Sequence, residues 1–82
     1  MIPRIKEIVP QEDYQLLVVF DDNYKVLYNL NEDIDTISEF KPLKNDFNLY
    51  KNLRLDESRT CVYWNERIDL PSDTIYEYGK RI

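Results

Sequence analysis

Residues 14–30 constrain the fold more tightly than any other stretch of this chain. Tyr14-Gln15-Leu16-Leu17-Val18-Val19-Phe20 and Tyr24-Lys25-Val26-Leu27-Tyr28-Asn29-Leu30 read as two strands separated by Asp21-Asp22-Asn23. A two-residue loop at Asp22-Asn23 would set Phe20 against Lys25 and Leu16 against Asn29. A three-residue loop sets Phe20 against Tyr24, Val18 against Val26, Leu16 against Tyr28 and Tyr14 against Leu30. The second choice pairs apolar with apolar along a whole face, and burial of such a face is what fixes register. Three-residue hairpin loops usually need a left-handed residue at the third position, where Asn is the best non-glycine choice. Positive φ is therefore expected at Asn23. Leu17 and Val19 make the second face of the first strand partly apolar too, which places that strand inside a sheet rather than at its edge.

The remaining segments are read in the same way. Ile2 to Val9, rich in β-branched residues, suggests a strand bounded by Pro3 and Pro10, which fits a sheet edge or a strand terminus because proline donates no hydrogen bond. Asn31 is expected to cap a helix through Glu32–Phe40, with Glu32, Asp33 and Asp35 near its positive end. Ile34, Ile37 and Phe40 would form its apolar stripe. Pro42 breaks that helix, and residues 42–47 read as a short turn or helical turn. Residues 52–56 and 60–64 form a second hairpin around Glu57-Ser58-Arg59, with Leu53 and Leu55 facing Val62 and Trp64. Ile68-Asp69-Leu70 is a further short strand. Pro71 suits the first turn of a closing helix that ends near Gly79, the residue suited to its C′ position. The fold class is α+β: a small antiparallel sheet in β-β-β-α-β-β-α order, with one or two helices packed on one face. The expectation is a single domain over residues 1–82.

Composition narrows the chemistry. The chain has 82 residues with 16 acidic against 11 basic, a net charge of −5 and no His. Nucleic-acid binding draws most of its affinity from phosphate neutralisation by Lys and Arg, so no nucleic-acid partner is expected. A basic protein would be attracted instead. No apolar run approaches the roughly 20 residues that span a bilayer, so no membrane partner is expected. Met1-Ile2-Pro3-Arg4-Ile5-Lys6-Glu7 lacks the apolar core of a secretion signal. With one Cys in the chain there is no disulfide framework, and a reducing cytoplasmic location is expected.

Lack of His removes the imidazole base, the Ser-His and Cys-His nucleophile pairs and the usual zinc sites. One glycine cannot build a phosphate-binding loop. Cys61 lies in a strand pattern and reads as an inert thiol. The acid clusters at Asp21-Asp22, Glu32-Asp33-x-Asp35 and Asp56-Glu57 fall in turns and a helix's first turn, where carboxylates are favoured structurally. No catalytic residue, cofactor or metal is expected, and the chain is not expected to be an enzyme. What remains is surface. Tyr63 has opposite parity to Trp64 and should point away from it, and Tyr76 and Tyr78 share the last helix, where at most one faces inward well. Tyr63, Arg67, Tyr76 and Tyr78 are thus the candidate partner-binding residues, since exposed Tyr and Arg are favoured at interfaces.

Over nearly its full length the chain resembles the bacterial domain-of-unknown-function family 2442 (DUF2442). The matching features are Asp13-Tyr14-x-Leu16-x-Val18-x-Phe20, the Asp22-Asn23 turn, Asn29-Leu30 and Pro42-Leu43. They continue with Tyr50-x-x-Leu53-x-Leu55-Asp56, then Trp64, Ile68-Asp69-Leu70-Pro71 and Ile75-Tyr76. Asn23 stands where the family usually has Gly, and Tyr50 where it usually has Phe. The resemblance implies a small α+β fold with no established activity and no catalytic residues to carry over. It also implies stand-alone or helix-turn-helix-fused members, some encoded beside a small companion in arrangements like toxin–antitoxin pairs. With no room for a DNA-reading helix pair within 82 residues, the stand-alone arrangement is expected. The expected function is a non-enzymatic interaction module, the acidic antitoxin-like partner of a basic companion encoded nearby. The alternative is a small-ligand domain with a pocket between sheet and helices lined by Tyr residues and Arg67. A homodimer that covers a sheet edge is a further expectation.

Overall fold

The computed structural model describes residues 2–82, apart from the side chain of Phe47. Strands β1 (Ile5–Gln11), β2 (Gln15–Phe20) and β3 (Lys25–Asn29) are followed by three short helices, α1 (Asn31–Thr36), α2 (Pro42–Asn45) and α3 (Phe47–Lys51). Then come β4 (Arg54–Leu55), β5 (Cys61–Tyr63), β6 (Asp69–Pro71), α4 (Ser72–Tyr78) and β7 (Lys80–Arg81). The class is α+β, as the sequence implies, but the strands divide between two antiparallel sheets. One runs β1-β2-β3-β7 and the other β4-β5-β6.

The first hairpin has the register that apolar matching dictates. Leu16 opposes Tyr28 and Val18 opposes Val26, while the Phe20 amide donates to Tyr24 O at 2.9 Å. Asn23 has φ 67°, and its amide closes the loop on Phe20 O at 2.9 Å. The central position of β2 and the edge position of β1 also agree with the sequence.

β1 itself begins three residues later than expected and runs on through Pro10, which sits opposite Leu16. As an edge strand it has no outer neighbour to miss the proline's absent N–H. A bulge sets both Lys6 and Glu7 against Val19. The extra residue resets parity, so Ile5 and Ile8 lie opposite Phe20 and Val18, and Glu7 and Val9 opposite Val19 and Leu17.

Tyr14 is not a strand residue. It and Asp13 lie in the left-handed region, at φ 58° and 60°, in a 3-10 turn between β1 and β2. A bulky residue there needs support. The Tyr50 hydroxyl reaches Gln11 O at 2.5 Å and Gln15 O at 2.8 Å, spanning the turn. Burial pushes that hydroxyl's pKa up to about 12. The Tyr14 and Tyr50 rings meet at 4.9 Å, and Asn31 Nδ2 donates to Asp13 O at 2.7 Å.

The first helix is shorter than expected. It stops at Thr36; Ile37 is extended and 38% exposed, and Ser38–Phe40 form a separate 3-10 turn. Asp35, Thr36 and Ser38 are poor helix formers, so the Ile34–Ile37–Phe40 stripe breaks at its middle member. Asn31 is the first helical residue rather than the cap; Asn29 Oδ1 accepts its amide at 2.9 Å.

α3 is capped by Asp46, whose Oδ1 accepts the Asn48 and Leu49 amides at 3.0 and 3.2 Å. At the end of α4, Gly79 has φ −69°, so it is not a left-handed cap. It is needed for closeness instead: a Cβ there would lie 2.6 Å from Ile75 O and 2.8 Å from Val26. That contact docks α4 on β3 and leads the chain into β7, a strand that sequence patterning does not suggest.

Both sheets and α4 share one core. It includes Ile5, Leu16, Val18, Phe20, Val26, Phe40, Leu43, Tyr50, Val62, Trp64, Ile68 and Ile75. Leu55 opposes Val62 across the second hairpin, as the pattern requires. Trp64 is buried, and its Nε1–H donates to Tyr50 O at 2.9 Å, which satisfies its one donor.

Candidate interaction surface

The carboxylates are best understood by what they hold. Asp21 takes a bidentate pair from Arg59, at 2.7 and 2.9 Å. Arg59 sits at φ 60°; its carbonyl accepts the Ile5 amide at 2.8 Å and its Nη1 reaches Ile5 O at 3.2 Å. Backbone and side chain of this one residue thus join the turn of the second sheet to the first. Asp22 accepts the Tyr24 amide at 3.0 Å and the Tyr76 hydroxyl at 2.8 Å. Asp56 accepts the Thr60 and Cys61 amides at 3.0 and 3.2 Å and the Ser58 hydroxyl at 3.0 Å. Tyr28 donates to Asp33 at 2.6 Å, and burial followed by this bond raises the tyrosine's pKa.

Cys61 is half-buried, and burial, with Asp69 and Asp56 nearby, raises its thiol pKa, which lowers its thiolate fraction. Among the described residues no three of Cys, Asp and Glu are gathered to hold a metal ion. No helix among them is long and apolar enough to cross a membrane.

The four candidate contact residues take separate places. Tyr76 is half-buried: its ring stacks on Tyr24 at 4.4 Å and meets Phe20 edge-on at 4.8 Å. Tyr78, two residues on, points away and is 73% exposed. Tyr63, 37% exposed, lies on β5 between Arg54 and Asp69. Arg67 lies in the β5–β6 connection and lines a depression with Ser38, Glu39, Pro42, Asn65 and Ile68. No hydrogen bond or ring contact among the described residues joins any two of the four.

The helix geometry adds residues that sequence reasoning missed. Ser72 and Ile75 face the core, which turns Asp73, Glu77 and Tyr78 outward. Asp73 and Glu77 are one turn apart, and exposed Asp69 lies just before the helix. No ion pair among the described residues reaches any of these three acids. The period of Ile75 and Tyr76 was the available signal for this face. Ser72, fully buried, donates to Pro3 O at 2.6 Å and accounts for the helix's inward first residue.

A second feature is a groove of about 750 Å³ between the two hairpin turns, lined by Pro3, Arg4, Phe20, Asp22, Ser58 and Thr60. It does not lie between sheet and helices, and Arg67 is not part of it.

A family model described as "Protein of unknown function (DUF2442)" matches residues 5–81. No curated protein and no solved structure matches the chain.

Proposed function

The chain belongs to the DUF2442 family, and on that premise we propose that it is a non-catalytic interaction module that engages a basic protein, in the manner of an antitoxin. The observation that carries this reading is the unneutralised outer face of α4. Asp73 and Glu77 lie one turn apart, where like charges repel. Asp69, three residues before the helix, is a third exposed acid, and Tyr78, next to Glu77 in the chain, offers a large exposed ring. A cationic partner would relieve the repulsion and cover the ring, and tyrosines flanked by charge are favoured contact residues. Tyr63 on β5 lies next to Asp69 of β6, with Arg54 on its other side. The half-buried Tyr76 positions the helix and is not a contact in this reading.

The experiment is capture of partners from the source cells with the wild-type chain and with Asp73→Lys/Glu77→Lys and Tyr78→Ala. The wild type retains a basic protein, such as the product of an adjacent gene, and releases it as salt rises. The charge-reversed variant, folded by its thermal transition, retains at least about tenfold less, since like-charge contacts cost about 1.4 kcal/mol or more. Equal retention by both chains would refute the proposal.

The groove supports a second reading, a small-ligand site. Its volume falls within the range of ligand pockets, with Arg4, Ser58 and Thr60 offering polar groups beside Phe20. A small molecule that raises the melting temperature, and loses that effect in Thr60→Val, would favour it.

A further inference from the structure

β2 is apolar on both faces, yet only one packs on the core; on the other, Leu17, Val19 and Leu27 are half-buried and Val9 is exposed. The register places three rows on the other face. Glu7, Val19 and Lys25 form the first, Val9, Leu17, Leu27 and Lys80 the second, and Gln11, Gln15 and Asn29 the third. Ile82, 61% exposed, extends the first row, its amide donating to Lys25 O at 3.2 Å. None of Val9, Leu17, Val19, Leu27 and Ile82 packs on the core cluster. A depression of about 430 Å³ lined by Gln11, Glu12, Gln15 and Leu27 opens on this side.

We infer that this face takes a second copy of the chain, turned by a two-fold axis that runs along β2. The argument is charge complementarity. The acid, Glu7, is on β1 to one side of β2, and the bases, Lys25 on β3 and Lys80 on β7, are to the other side. Rotation about β2 exchanges the edges and preserves the rows. Glu7 then meets Lys25 of the second copy, Val9 meets Leu27, Gln11 meets Asn29, and Leu17 and Val19 meet their own counterparts. Two symmetric ion pairs flank an apolar band, an isologous arrangement of two aligned sheets. Addition of a strand to the β1 edge is the less suitable alternative, because the Lys6–Glu7 bulge and Pro10 interrupt that edge. The face is small, about 14 Å across four strands. It falls short of the roughly 800 Å² per partner of a standard interface, so the dimer is weak and forms at high concentration. This inference does not depend on the α4 reading, since α4 lies on the core side of the sheet.

Sedimentation equilibrium over a wide concentration range tests it. Expected is a monomer–dimer equilibrium that tightens at low salt. Leu17→Lys and, separately, Glu7→Lys should abolish it, and Glu7→Lys/Lys25→Glu should restore it by keeping the pair. In a Cys61→Ser background, Leu17→Cys should join to itself through a short bis-maleimide that spans the roughly 10 Å between stacked sheets, whereas Glu7→Cys should not. Glu7, Val9 and Lys25 are exposed and Leu17 is half-buried; an unchanged thermal transition shows that each variant folds, and Val9→Lys serves in place of any that does not. Three results would overturn the inference: a monomer at every concentration in low salt, a dimer that survives Leu17→Lys and Val9→Lys, or a face shielded only when a different protein is added.

Discussion

At Gly79 any side chain would collide with two backbone-anchored neighbours, Ile75 O and Val26. Neither is the free end of a flexible chain, so α4 would have to move off β3. Gly79→Ala should therefore cost about 1–3 kcal/mol, the range for overpacking a fitted contact. Chemical denaturation measures it, and a neutral result would refute the close-approach account. The turn carboxylates make a second residue-scale prediction. Asp21 titrates below its ordinary range chiefly because Arg59 hydrogen-bonds it, and Asp22 chiefly because the Tyr24 amide does. For Asp56 burial is the largest single influence and acts upward, but donors from Ser58, Thr60, Cys61 and Arg59 together outweigh it and the pKa is lowered. A carboxylate held low contributes stability that is complete above its unfolded pKa and is lost as pH falls through its folded one. The melting temperature should accordingly be level near neutrality and decline below about pH 4. Asp21→Asn should lower it at neutral pH and reduce that decline; an acid-insensitive transition would contradict the assignment.

Among the elements, the first hairpin was the most legible, because one register alone matches apolar residues along a buried face. The same logic makes the loop testable. Asn23 at φ 67° tolerates Gly and resists Ala, so Asn23→Ala should cost about 1 kcal/mol and Asn23→Gly should cost nothing. Equal effects of the two would mean that the left-handed turn is not what holds the register. Less was legible where distant residues decide. The turn at Asp13-Tyr14 exists because Tyr50, far along the chain, reaches across it. Helix α1 ends early because local propensity at residues 35–38 outweighs the spacing of Ile34, Ile37 and Phe40. β7 has no pattern of its own and is defined by its pairing with β3. The sequence points to Gly79 through its freedom to cap a helix left-handed, but the fold needs it for the close approach to Val26.

At the scale of the whole molecule, the sequence supplies strands but not their division between two sheets, which depends on long-range links such as Arg59 to Ile5 and Ser72 to Pro3. The candidate site was partly legible. Tyr78 and Tyr63 are exposed as parity and helical spacing suggest, Tyr76 is drawn inward by Phe20, Tyr24 and Asp22, and the acids beside Tyr78 emerge only with the helix's orientation. The molecule then offers two distinct surfaces: an acidic, tyrosine-bearing helix and an apolar sheet face with opposite charges to either side of β2. The first carries the central claim that this chain acts by binding a basic protein. The most direct test is the affinity for the product of the adjacent gene, titrated against salt for the wild type and for Asp73→Lys/Glu77→Lys. The account predicts a complex that weakens steeply with salt and fails to form with the reversed charges. Binding that ignores both salt and charge reversal, or no binding at low salt, would contradict it.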